Sequence, residues 1–277
     1  MQKTVIEPGG RNLQYWKDIR RYRGLAFTFA RRDITVRYKQ TLIGLGWAVI
    51  GPIINMLLMS FVFGTVAKLP SDGDTPYPVM VYSGLIAWHL FARGLTIAAS
   101  TFLTNADLLK KVYFPRILAP IGQAMALLID TLISLGVLLL MLAILRYPPA
   151  WERLVFLPLF ILLPLVLGFS AGLLLAPSNI RHRDLNQAVP FLVQIGQYLT
   201  PVVYSFSFAV SSMSERAALL YSLNPAAGAV NAFKWCIIET NTFHWPTLWI
   251  TLAWTAVLLP LGLWRFRRGE RTFVDLV

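Results

Sequence analysis

The sequence predicts an all-α integral membrane protein of six transmembrane helices, with an N-terminal amphipathic surface helix and short re-entrant helices before the last span. Three observations carry this expectation. The 277 residues are 56% hydrophobic and only 14% charged, against about a quarter charged in soluble domains. The apolar residues collect in runs close to the ~20 residues that a helix needs to cross the hydrocarbon core. The formal charge is +12, and it sits at both ends and in short connections, as in a membrane protein facing an anionic leaflet. A charge of that sign also suits nucleic acid, but no RNA- or DNA-binding signature accompanies it.

The elements follow in chain order. Residues 1–41 form a polar, basic segment, too long and too charged to open a cleavable signal peptide. At about 100° per residue, Arg21, Thr28, Arg32, Thr35 and Lys39 share one stripe, opposite Ile19, Ala26, Ala30 and Ile34 flanked by Phe27 and Tyr38. This predicts a helix on the membrane surface. Asp33 and Arg37 stand at i, i+4, acid first, spaced to pair. On pattern alone, a plain surface anchor remains open.

The membrane domain spans 42–264. Its runs are Leu42–Val66, Val79–Phe102, Ile117–Leu145, Leu154–Ala176, Ala188–Phe206 and Pro246–Trp264. The fifth is weakened by Gln194, Gln197 and Tyr198. Between it and the last, Ala217–Ile238 is moderately apolar but broken at Asn224-Pro225, where proline removes a backbone donor and disfavours helix in the preceding residue. Two short helices that dip into the membrane and return fit better than a seventh span. Charge counting agrees. Basic residues crowd Lys3 to Lys39, then Lys110, Lys111 and Arg116, then Arg181 and Arg183, then Arg265, Arg267, Arg268 and Arg271 in the tail, 265–277. Only Lys68, Arg146, Arg153, Arg216 and Lys234 fall on the other side. Both termini are therefore expected in the cytoplasm and the span number even.

The loop after the second run places Leu108, Leu109, Val112 and Tyr113 among Lys110 and Lys111. Asn105 can cap a short helix there, which Pro115 would end. Apolar residues on a helix outside the membrane want a partner surface, or rest on lipid; the pattern leaves both open. Arg93 and Asp130 lie inside consecutive runs at similar depth, where charges are costly and usually paired or functional. An ion pair is expected; a substrate role is the lesser alternative. The single cysteine, Cys236, cannot form an intrachain disulfide. Walker A, HExxH, GxSxG and Cys/His metal spacings are absent. The chain is therefore not expected to act as an enzyme by itself or to hold a metal. A membrane transferase would need a histidine or acidic dyad near the interface, and a gradient-driven transporter an internal repeat; neither is visible.

The stretch Arg32-Asp33-Ile34-Thr35-Val36-Arg37-Tyr38-Lys39-Gln40-Thr41-Leu42-Ile43-Gly44-Leu45-Gly46-Trp47-Ala48, followed by Pro52, resembles the start of type-2 ABC exporter permeases. Lys111-Val112-Tyr113-Phe114-Pro115-Arg116, Pro201-Val202-Val203-Tyr204 and Leu223-Asn224-Pro225 are similar to later motifs of the polysaccharide branch, the Wzm-type O-antigen and TagG-type teichoic-acid permeases. The resemblance covers about residues 25–235 and argues against a drug-exporting branch.

It implies a homodimer in the bacterial inner membrane, carrying a lipid-linked polysaccharide and driven by two copies of an ABC ATPase subunit that binds the ATP and Mg. This chain itself would need no cofactor. It also implies that the surface helix (Arg32, Asp33, Arg37, Tyr38) and the loop helix (Leu108, Leu109, Lys110, Lys111, Val112, Tyr113) contact the ATPase. The first and fifth spans would line a channel, and the break at Asn224 and Pro225 would fall in an exit gate. Sugars present apolar faces beside hydroxyl rims, so the wall is expected to combine rings with polar groups: Trp47, Asn55 and Phe61 on the first span, and Gln194, Gln197, Tyr198, Tyr204 and Phe206 on the fifth. Interfacial aromatic belts are the competing reading, above all for Trp47 and Phe206.

Overall fold

The computed structural model describes residues 12–39, 46–105, 114–182 and 184–276, and side chains within 15–36, 46–105, 114–182 and 184–270. Among the described residues the chain is helical throughout, without strands. We number the helices α1 (Asn12–Arg21), α2 (Arg23–Lys39), α3 (Gly46–Met59, continued by a π-helical stretch Ser60–Val66), α4 (Tyr77–Thr104), α5 (Leu118–Ile144), α6 (Leu157–Arg181, entered through a 3-10 turn Trp151–Phe156), α7 (Leu185–Tyr198), α8 (Phe206–Ser211), α9 (Glu215–Ser222), α10 (Pro225–Ile237) and α11 (Trp245–Leu276).

Among the described residues, five segments are long and apolar enough to cross a membrane: Gly46–Val66, Tyr77–Thr104, Leu118–Ile144, Trp151–Arg181 and Trp245–Glu270. The expected fifth run is shorter than its apolar pattern. α7 has 14 residues, about 21 Å at 1.5 Å per residue, well under the ~30 Å hydrocarbon core. It stops before Thr200-Pro201, and Pro201-Val202-Val203-Tyr204 is an irregular turn rather than helix.

The body is built on α4. Its strongest partner is α6, which also packs on α11. Gly168 and Gly172 of α6 lie where a Cβ would strike the backbone oxygens of Phe91 and Leu95. Small residues at i, i+4 let two backbones approach this closely. Tyr82, Leu85, Leu90 and Phe233 are among the largest fully buried side chains. α10 is wedged among α4, α6 and α11 and is almost wholly buried. Asn224-Pro225 separates it from α9.

The near end of the bundle holds α1, α2 and the last turns of α11. There Ala26, Phe29 and Ala30 of α2 are buried against α5, with Gly122 directly beneath Phe29 and the Ala26 carbonyl. Phe27 is 63% exposed. α2 thus buries its small apolar stripe on protein rather than on lipid alone. α1 joins through Tyr15, whose hydroxyl donates to Glu270 Oε2 at 3.0 Å. Glu270 Oε1 accepts from the Arg116 backbone N–H at 2.8 Å, and Arg116 Nη1 donates to the Glu270 carbonyl at 2.9 Å. One carboxylate therefore ties α1, the entry to α5 and the end of α11 together.

At the far end, Asn241 Nδ2 donates to Asp72 Oδ2 at 3.0 Å. Thr75 shares hydroxyl bonds with Tyr147 at 3.0 Å and Thr240 at 2.7 Å. Lys68 and Arg146 sit in the left-handed region, each at φ 52°, just past the ends of α3 and α5.

Candidate functional site

α3 and α7, the segments expected to line a channel, are thinly covered: Met56 is the buried residue of α3 and Val189 that of α7. α3 reaches α4 at its far end, where the Tyr77 ring lies 2.6 Å from the place of a Gly64 Cβ. Towards the near end it stands clear: a Cβ on Gly51 would have nothing within 4 Å, and Trp47 is 55% exposed. Phe61 is 60% exposed and Asn55 half-buried.

On α7, Gln194 is exposed, Gln197 half-buried and Tyr198 45% exposed. The Gln197 Nε2 is enclosed without a hydrogen-bond partner. The Tyr198 ring sits 6.4 Å from Phe63, which follows α3. That ring contact brings the end of α7 to the far end of α3.

Two of the aromatic candidates take other places. Phe206 is buried, 4% exposed, against Tyr221 at 5.6 Å and His244 at 4.6 Å. Tyr204 is half-buried; its hydroxyl donates to the Tyr198 carbonyl at 3.0 Å and receives Tyr221 at 3.3 Å. Burial drives the Tyr221 hydroxyl far above the usual tyrosine range, so it acts as a neutral donor.

These tyrosines belong to a brace around the turn at 199–205. Tyr77 donates to the Val203 carbonyl at 2.5 Å. Lys234, 1% exposed, donates to the carbonyls of Pro201 at 2.7 Å and Tyr204 at 3.1 Å. Asn224 caps α10 by accepting from Ala226 N–H at 3.0 Å. Its amide reaches back to the Leu199 carbonyl at 3.1 Å and Thr200 Oγ1 at 3.2 Å. Gly84 leaves room for all this: a Cβ there would overlap the Val202 carbonyl and meet Lys234 Cε at 2.8 Å. Asn224 and Pro225 thus form a strut between the end of α7 and the start of α10. Sequence reasoning counted Lys234 only as a far-side charge. A lone cation inside the apolar run Ala226–Ile238 was the available signal, because it needs buried acceptors.

Behind α7 lies an apolar cleft of about 670 Å³ bounded by Trp88, Phe91, Leu192, Gly196, Leu220 and Tyr221.

At the near end, Arg32 Nη2 donates to Asp33 Oδ1 at 3.3 Å and to Asn105 Oδ1 at 3.2 Å, with its guanidinium 5.2 Å from the centre of the Phe29 ring. Arg32 and Asp33 are therefore joined to the end of α4, where the loop expected to couple to an ATPase begins. Asn105 terminates α4, its amide donating to the Thr101 carbonyl at 3.1 Å. The backbone of Arg37 and Tyr38 continues α2; their side chains, and Leu108, Leu109, Lys110, Lys111, Val112 and Tyr113, lie outside the described residues.

Among the described residues no ion pair joins Arg93 to Asp130; the pair present is Arg32–Asp33. Similar depth on neighbouring helices says nothing of azimuth. Arg93 is exposed on a span, where an arginine costs about 3 kcal/mol at the helix centre unless compensated.

Comparison with known proteins agrees with this architecture. The O-antigen export system permease protein RfbA of Myxococcus xanthus is 26% identical over 261 residues, covering 94% of this chain and 98% of that protein. RfbA of Klebsiella pneumoniae is 23% identical over 253 residues, 91% and 95% of the two chains. The polysialic acid transport protein KpsM of Escherichia coli is 23% identical over 247 residues, 88% and 92%. A family profile described as ABC-2 type transporter matches residues 25–238, well over half of the sequence, and the chain belongs to that membrane-transporter family.

Proposed function

We propose that the chain is the membrane-spanning subunit of an ATP-driven exporter that moves a lipid-linked, O-antigen-like polysaccharide from the cytoplasmic to the outer side of a bacterial inner membrane. The observation that carries this reading is the juxtaposition of two thinly covered segments. α7 meets the far end of α3 through Tyr198 and carries Gln194 and Gln197 at helical spacing from it, and an enclosed glutamine amide without a partner wants water or ligand. Glutamines exchange hydrogen bonds with sugar hydroxyls, and Tyr198 and Phe61 offer rings to sugar faces. A polymer can slide along such a wall without one deep site to arrest it.

In this reading a second copy covers α3 and α7 and closes the channel. α7 with the braced turn is the sixth crossing, which returns both termini to the cytoplasm. Two copies of a separate ATPase subunit bind ATP and Mg and dock on α2 and on the 105–114 loop. The Asn224–Pro225 strut belongs to the exit gate. The names of the RfbA relatives support the cargo class. The likeness to KpsM favours a capsular polymer as the second reading.

The test is deletion of the gene, complementation with the full chain, and quantification of surface polymer alongside intracellular polymer. Export predicts intracellular accumulation on deletion and co-purification with an ATPase. Unchanged surface polymer, or ATP turnover by the pure chain alone, overturns the reading. Capsule loss with intact lipopolysaccharide selects the second.

A further inference from the structure

On α4 the polar residues recur with helical spacing: His89, Arg93, Thr96, Ser100 and Thr104. Steps of four, three, four and four residues keep them on one stripe. The stripe runs from mid-helix to the near end, on the side away from Trp88, Phe91 and Leu95, which border the cleft. Arg93 and Thr104 are exposed, and His89, Thr96 and Ser100 half-buried. Arg93 stands 11 residues before the end of α4, about 16 Å at 1.5 Å per residue. Helical side chains lean towards the N-terminus of their helix, so the guanidinium leans towards His89 and mid-helix rather than back to the near end.

The hydroxyls and the guanidinium differ in what they can hold. Thr96 donates to the Ala92 carbonyl and Ser100 to the Thr96 carbonyl, both at 2.8 Å. With their hydrogens spent, they turn only lone pairs outward, which order water and do not hold an anion. Arg93 carries donors only, and no carboxylate among the described residues is within ion-pair distance of it. A charge so placed in a span demands a counter-charge or water. The planar fork of a guanidinium suits the oxygens of a phosphate. A free anion has little reason to leave bulk water for this depth, whereas an anion tethered to a lipid is delivered there by its own chains.

We propose that this stripe is a wet track for a lipid-borne phosphate group, with Arg93 as its deepest contact. The track rests on the export reading given above, and it assigns the anionic end of the lipid a place distinct from the glutamine face that meets sugar. Two lipids carry that chemistry, the carrier of the polymer and the phospholipid of the surrounding leaflet.

The test uses the purified full chain with its ATPase partner in neutral detergent. A polyprenyl phosphate, the matching polyprenol and phosphatidylglycerol are added separately, and bound lipid is counted by native mass spectrometry. Wild type is expected to hold the polyprenyl phosphate about tenfold better than the polyprenol. Arg93→Gln abolishes that preference and Arg93→Lys retains part of it. Should Arg93→Gln melt early, Ser100→Glu places a repelling carboxylate on the track with Arg93 intact, and the same loss is expected. Preference for the polyprenyl phosphate alone assigns the carrier; equal retention of phosphatidylglycerol assigns the leaflet lipid.

The proposal is overturned if Arg93→Gln and Ser100→Glu bind every lipid as wild type does. It is equally overturned if Arg93→Gln halves the mass of the assembly, which would make Arg93 a contact between copies. Surface polymer in the gene deletion separates the two failures: polymer lost there with binding unchanged refutes the track alone, and polymer retained refutes the export reading.

Discussion

Asn224 performs two tasks with the two ends of one amide, and substitution can separate them. Its Oδ1 caps α10 by accepting from Ala226; its Nδ2 holds the Leu199 carbonyl and Thr200 Oγ1. Loss of a cap costs about 1 kcal/mol. Each further bond contributes about 0.5–1.5 kcal/mol net, less for the one to Leu199, which is 61% exposed. Asn224→Ala should therefore destabilise by roughly 2–3 kcal/mol, a melting shift of roughly 4–12 °C for a chain of this size. Asn224→Asp keeps the cap acceptor but turns an oxygen towards the Leu199 carbonyl, so the strut fails while α10 stays capped. The assay is thermal unfolding in detergent, followed by tryptophan fluorescence, paired with surface-polymer quantification. Aspartate should recover about a third to a half of the stability lost in alanine, yet export no better. A melting shift under about 1 °C for Asn224→Ala, or wild-type export with aspartate, would refute a strut joining α7 to α10.

Other expectations divide along the same line between wall and brace. Tyr198→Ala should lower polymer export with melting within about 2 °C of wild type, because the ring is half exposed; Tyr204→Ala should lower melting, because it strands the Tyr221 hydroxyl, at about 1–3 kcal/mol for a buried unpaired donor. Glu270→Ala removes acceptors from the Arg116 N–H and Tyr15 hydroxyl, at about 2–4 kcal/mol, and should make the N-terminal helix sensitive to limited proteolysis while α5 and α6 stay protected. Arg146→Gly should raise melting by the equivalent of up to about 1 kcal/mol, since the residue holds a left-handed conformation that glycine adopts freely; a fall would show that its cation is needed at the far end.

Much of this architecture is legible along the chain, and the illegible parts share a cause. Five runs appear as long helices because length and apolarity are local properties. The break at Asn224-Pro225 is legible because both residues act locally, one as cap and one as first helical residue. The turn at 199–205 is not. Pro201-Val202-Val203-Tyr204 continues an apolar run, and the donors that let its carbonyls leave a helix come from Tyr77 and Lys234, over a hundred and about thirty residues away. Phe206 and Tyr204 differ from Tyr198 only in what folds over them. Arg93 and Asp130 lie at similar depths, but depth is a one-dimensional coordinate and pairing also requires the two helices to turn those faces together.

The shortness of α7 has a consequence for the backbone that follows it. Its ~21 Å falls ~9 Å short of a ~30 Å hydrocarbon layer, so in a crossing built on α7 the remaining depth falls to the turn at 199–205. Irregular backbone survives at such depth only where protein or water satisfies its polar groups, and here Tyr77 and Lys234 supply donors. A state that lengthens α7 through Thr200 would have to release Lys234 from the Pro201 carbonyl. The buried ammonium then acts as a latch on the length of the wall.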